Sequence, residues 1–136
     1  MVIILSNTTA QTLAPGQAMI FDTEVLHTGC AECHRNNSGA VAFRANGAIY
    51  ECKFTGNIGS TAAGDAQIAL VVSGAPLPET TMISTIAAAG DVNNVSCDTA
   101  VKTCCGIGGE SVMVVNTGTT TVNVGANPCL FIKRVA

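Results

Sequence analysis

Charge is what this sequence has least of: Asp, Glu, Lys and Arg together make up 11% of its 136 residues. The surface of a lone domain usually carries about 25% charge or more. The deficit predicts that uncharged polar side chains cover the surface, or that part of it is buried in an assembly. The net charge is −3 and no basic cluster occurs, so the electrostatic footprint that nucleic acid requires is missing and no nucleic-acid partner is expected. Aromatics are 4% and Trp is absent, which leaves Ala, Val, Ile and Leu to build the core. Long apolar runs are lacking too. "MVIILSNTTA" has no positive start, and its apolar stretch covers residues 2–5 only. That is too short for an export signal or a membrane span. The expectation is no membrane partner, and a chain that stays in the cell that makes it or leaves by lysis. Helical pattern is also scarce: the longest window free of Pro and strong turn signals, residues 80–89, is Thr- and Ile-rich and stops at Gly90.

What is present is a series of short β-favouring runs: residues 2–5, 18–22, 40–45, 48–56, 66–73, 80–87, 110–116, 119–124 and 129–135. Gly, Asn, Pro and Ser clusters separate them at regular spacing, the pattern of an all-β sandwich or barrel. We read one domain over residues 1–136, with residues 1–12 as an N-terminal arm or first strand: a two-sheet antiparallel jelly roll. In "AIYECKF", Tyr50, Cys52 and Phe54 share one face while Glu51 and Lys53 take the other, as in a half-buried strand. "VVNTGTTTVNV" reads as a hairpin turning at Asn116–Thr117–Gly118. Asn46–Gly47 reads as the turn between residues 40–45 and 48–54, and Pro76 and Pro78 mark a turn that excludes central-strand pairing.

The chemistry-bearing stretch is "HTGCAECHR". Cys30, Cys33 and His34 spell the C-x-x-C-H of a c-type haem. Such cytochromes are helical and exported, whereas this motif lies in an expected loop of a β domain, so no haem is expected. Zn²⁺ takes two thiolates from a C-x-x-C knuckle plus His or Cys from elsewhere. Cys30, Cys33 and His34 or His27 supply three candidates, with Cys104 or Cys105 as a fourth. No second knuckle exists, so this is half a site and no resident metal or other cofactor is assigned. Disulfides are the third reading: Cys97 with Cys104, bracketing "SCDTAVKTC", and Cys30 with Cys33. Each would close a short loop, for about 2–3 kcal/mol at best. Cys52 and Cys129 read as small buried hydrophobes. Asp91 and Asp98 are oxygen donors of the kind Ca²⁺ uses, in what reads as a polar loop. No nucleophile elbow or phosphate loop is present, and the chain is read as non-enzymatic.

Four segments in order carry a resemblance: "LAPGQAMIFD", "NSGAVAFRANGAIYECKFTGNI", "IALVVSGAPLP" and "GGESVMVVNTGTTTVNVGANPCLFIKRVA". Together they resemble the C-terminal domain of the collagen-like surface glycoproteins of bacterial spores, a member of the TNF/C1q-like superfamily. The similarity covers roughly residues 13–136, with its best local marker at Gly47-x-x-Tyr50. It implies a ten-stranded jelly roll assembling as a homotrimer, like free-standing domains on phage particles. The collagen-like stalk of the spore proteins is missing here. The expectation is therefore a trimeric decoration or cement protein on the exterior of a phage capsid, partnered by itself and by the major capsid protein or another shell protein. The alternatives are a receptor- or glycan-binding fibre head and a spore-surface trimer. Tyr50, Phe54, Leu130 and Phe131 would fill the subunit core or the three-fold interface. The loops at residues 27–38 and 91–106 would face out or touch the shell.

Overall fold

The computed structural model describes residues 1–29, 32–35, 37–103 and 110–136, with Glu32 described by its backbone alone. Among these lie thirteen strands: β1 Val2–Ser6, β2 Gln11–Leu13, β3 Thr23–Thr28, β4 Glu32–His34, β5 Val41–Phe43, β6 Ile49–Ser60, β7 Gly64–Val72, β8 Ala75–Pro76, β9 Met82–Ile86, β10 Val92–Lys102, β11 Glu110–Asn116, β12 Val122–Val124 and β13 Cys129–Arg134. All strand pairs are antiparallel, and they form two sheets. In the first, β10 pairs along β6, whose other edge is shared by β13 and β12. The sheet continues from β13 through β1 to β3, and from β12 to β2. The second runs β4–β5–β11–β7, and β8 and β9 share the far edge of β7. The fold is an all-β, two-sheet antiparallel jelly roll.

The period-2 pattern explains how the sheets meet. Along β6, Tyr50, Cys52, Phe54 and Ile58 are buried, while Lys53, Thr55 and Asn57 are exposed. Ile3 and Leu5 of β1, and Leu130 and Ile132 of β13, add to the same inner face. The second sheet answers with Val41, Phe43, Ile68, Leu70, Val112 and Val114. Phe43 and Tyr50 stack across the sandwich with ring centroids 4.2 Å apart. With no Trp available, this pair supplies broad flat contact where aliphatic side chains fill the rest.

Four segments differ from the sequence reading. Residues 114–124 are not a hairpin: β11 belongs to the second sheet and β12 to the first, so the chain crosses between layers. Asn116 fixes the crossing. Its buried side chain donates Nδ2–H to the carbonyls of Leu13 (2.9 Å) and Thr120 (2.8 Å) and accepts from Gly118 N–H (3.0 Å). Asn46–Gly47 is a turn, with Gly47 at φ +66°, but it too joins different sheets. There Thr103 Oγ1 accepts from Ala48 N–H (3.0 Å) and donates to the Ala45 carbonyl (2.6 Å). Residues 18–22 form isolated bridges rather than a strand. Met19 and Phe21 are buried there, and the backbone of Ile20 is satisfied by the Gln11 side chain on both its N–H and its carbonyl.

The stretch read as an outward loop at residues 91–106 contains an eleven-residue strand, β10. It is in register with β6 from Val92 opposite Gly59 to Lys102 opposite Ile49. Complete ladder pairing outweighs the turn-favouring Asn, Asp and Ser in this stretch.

Candidate functional site

Of the cysteine–histidine candidates, Cys30, Cys104 and Cys105 lie outside the described residues, so the Cys30–Cys33 and Cys97–Cys104 pairings do too. Among the described residues Cys33, Cys52, Cys97 and Cys129 carry free thiols. Cys97 sits in β10, not a loop, turned toward the core opposite Phe54. Cys52 is buried, and burial first, then the neighbouring Cys97, pushes its thiol up to about 12. Cys129 is exposed on the outer side of β13, contrary to its reading as a buried hydrophobe, because Leu130 and Ile132 take the inward positions. Asp91 precedes β10 and Asp98 lies midway along it. At the rise of an extended strand they are about 20 Å apart and cannot share an ion.

His27 is on β3 and Cys33 and His34 are on β4, strands at the edges of the two sheets. The His34 imidazole is fully buried, edge-on to Phe21. Its Nε2 lies 2.9 Å from the Ser38 carbonyl, and its Nδ1 has no hydrogen-bond partner among the described residues. Glu24, a residue the sequence did not single out, lies between the two histidines. Its Oε1 is 3.0 Å from His27 Nδ1 and its Oε2 is 3.9 Å from His34 Nδ1.

The broadest surface feature is the outer face of the first sheet. Strand registers place Leu26, Ile4, Phe131, Lys53 and Asp98 in one row across β3, β1, β13, β6 and β10. The parallel row is Thr28, Val2, Lys133, Glu51 and Ala100. One end of this face is apolar, with Leu26 44% exposed. The other is polar and internally neutralised: Lys53 Nζ lies 3.0 Å from Glu51, 3.9 Å from Asp98 and 5.8 Å above the Phe131 ring. The hydrogen bond and charge of Glu51, then the charge of Asp98, raise the Lys53 ammonium above its ordinary value. At the opposite edge Val92 on β10 is 56% exposed and Ile83 on β9 is 54% exposed, on the outer faces of the first and second sheet respectively. Among the described residues β10 pairs with β6 alone, so its outer edge has no strand partner.

Tyr50, Phe54 and Leu130 lie wholly in the core, whereas Phe131 is turned outward onto the apolar face. The apolar contribution of Val2, Ile4 and Leu26 to that face was missed. The signal was in the alternation of "VIIL", once Ile3 and Leu5 are placed inward. The outer face of the second sheet bears an open groove of about 430 Å³ bounded by Val71, Met113, Val115 and Pro76.

No family model and no curated protein sequence matches the chain. Solved structures do. The globular domain of zebrafish complement 1qA protein superposes with a TM-score of 0.65 at 11% identity, over 96% of this chain and 93% of that one. Murine APRIL at pH 5.0 superposes with a TM-score of 0.66 at 12% identity, over 97% of both chains. Murine APRIL at pH 8.0 gives 0.62 at 13% identity, again over 97% of both. At such identities the likeness speaks for the fold, and it extends over nearly the whole chain. The polypeptide has a jelly-roll fold similar to those of the C1q and APRIL domains.

Proposed function

We propose that this chain is a non-enzymatic structural module that works as a homotrimer. The observation that carries the reading is the outer face of the first sheet, where Val2, Ile4, Leu26 and Phe131 are aligned in register beside a neutralised polar half. At the opposite edge of the sandwich Val92 and Ile83 are exposed on the outer faces of the first and second sheet respectively. Contacts of the first sheet's apolar face with a different surface of the next copy would be head-to-tail, the kind that closes into rings. The full-length likeness to C1q and TNF-family domains supports three-fold closure. An obligate interface of this kind buries roughly 2,000 Å² or more per pair, which accounts for an 11% charge content. The finer proposal is that the trimer decorates or cements the exterior of a phage capsid, docking on the major capsid protein or another shell protein. The sequence resemblance supports this role.

The test adds purified protein to capsids assembled without it and sediments them. Saturable co-sedimentation in multiples of three chains supports the role. A trimer that leaves capsids bare while binding a glycan array redirects it to a fibre head.

A further inference from the structure

We propose that Asn46 is a site of spontaneous covalent modification: its side chain closes onto the Gly47 amide nitrogen, water opens the cyclic imide chiefly to isoaspartate, and the lengthened backbone loosens the joint between the two sheets. Asn46–Gly47 is the one Asn–Gly pair in the sequence. Asparagine is among the thermally labile residues, and a following glycine, with no Cβ, leaves its backbone nitrogen open to close approach. The Gly47 nitrogen bonds to Asn46 Cγ and gives up its proton, and the side-chain nitrogen leaves as ammonia. Water then opens the ring at either carbonyl. One opening gives aspartate; the other runs the main chain through the former side chain and gives isoaspartate. Water is the only co-reactant.

The fold leaves both reacting groups free. Asn46 and Gly47 are exposed. Among the described residues neither the Asn46 carboxamide nor the Gly47 N–H has a hydrogen-bond partner. Gly47 has φ +66°, and nothing lies within 4 Å of where a side chain there would begin. Other asparagines are held. Asn116 is buried, with its carboxamide in three hydrogen bonds. After Asn37, the attacking nitrogen would be that of Ser38, which donates to the Arg35 carbonyl (3.0 Å). Asn57 and Asn94 lie in paired strands, and their carboxamides bond each other (3.2 Å). The consequence comes from the residues on either side of the pair. Thr103 Oγ1 donates to the Ala45 carbonyl (2.6 Å) and accepts from Ala48 N–H (3.0 Å), while Thr103 N–H donates to the Ala48 carbonyl (2.8 Å). Thr103 is 2% exposed, so residues 46 and 47 span two points fixed by a buried side chain. Isoaspartate inserts a methylene into that span, and the longer span pulls against hydrogen bonds whose buried partners are costly to leave unpaired.

The test stores the full chain at body temperature and mildly alkaline pH. It then combines peptide mapping that separates aspartyl from isoaspartyl forms with thermal melting at one protein concentration. The expected result is an amide-to-acid mass gain that appears first at Asn46, with isoaspartate exceeding aspartate there. The melting temperature falls in step with the isoaspartate fraction. Asn46→Gln, which would have to close a larger ring, keeps its melting temperature through the same storage. Freshly made Asn46→Asp carries the new charge without the longer backbone and melts with fresh wild type. An intact Asn46 while another asparagine converts, converted chains that melt unchanged, or fresh Asn46→Asp melting as low as stored wild type would each overturn the proposal.

Discussion

Replacing Asn116 with Ala tests whether a single buried side chain fixes the passage of the chain between the two sheets. The side chain is wholly buried at the end of β11 and makes three hydrogen bonds. The bond to Leu13 O is buried, so its loss leaves a carbonyl without this donor and without water, for about 1–3 kcal/mol. The bonds to Thr120 O and from Gly118 N–H are partly reachable by solvent, and their loss costs about 0.5–1.5 kcal/mol each. The sum is about 4 kcal/mol, within a range of roughly 2–6. Asn116→Asp is expected to be worse, since it turns two donated bonds into a carboxylate facing two carbonyls. The control is Asn123→Ala, which loses one exposed contact to Thr12 at 3.2 Å and should stay within about 0.5 kcal/mol of wild type. Urea unfolding at one fixed protomer concentration reads all three, because the stability of an oligomer depends on that concentration. If Asn116→Ala moves the midpoint no further than Asn123→Ala, the latch argument is wrong.

Phe131→Glu and Leu26→Glu place charge on the outer face of the first sheet without disturbing the core; they should shift the protein toward monomer in sedimentation velocity with an unchanged circular dichroism spectrum. Cys52 should resist alkylation in the folded chain while exposed Cys129 reacts. The Cys52 thiol is also a source of alkaline instability. Its folded value, near 12, lies above the ordinary 9.0, so its stabilising contribution is complete below pH 9 and disappears as the pH rises from 9 toward 12. Denaturation midpoints measured across that window should fall less in Cys52→Ala than in wild type, once the cost of the substitution is taken from the neutral-pH value. Gly39→Ala drives a new Cβ into the Met19 carbonyl and should cost about 1–3 kcal/mol in the same urea assay.

The alternation of "AIYECKF" was legible because one face of β6 is core and the other is solvent. Turn residues at 46–47 and 116–118 were also legible as turns. What they could not convey is which sheet the next strand joins. That is decided by Thr103 and Asn116, whose partners lie as far away in sequence as Ala45 and Leu13. β10 was hidden because Asn93, Asn94, Ser96 and Asp98 resemble loop residues, and only the full ladder to β6 makes them a strand. The Glu24–His27–His34 cluster was half visible. The histidines stood out, but Glu24 reaches them through a register slip at Val25 that depends on pairing with β1. The outward position of Phe131 follows from its inward neighbours Leu130 and Ile132, which a list of aromatic residues does not distinguish from core.

Self-association through the outer face of the first sheet is the central claim, and the mass of the protein in solution tests it most directly. Multi-angle light scattering at micromolar protein should give three times the 13.7 kDa chain mass for wild type and a lower mass for Phe131→Glu. A stable 13.7 kDa species for the wild-type protein under those conditions would contradict the account.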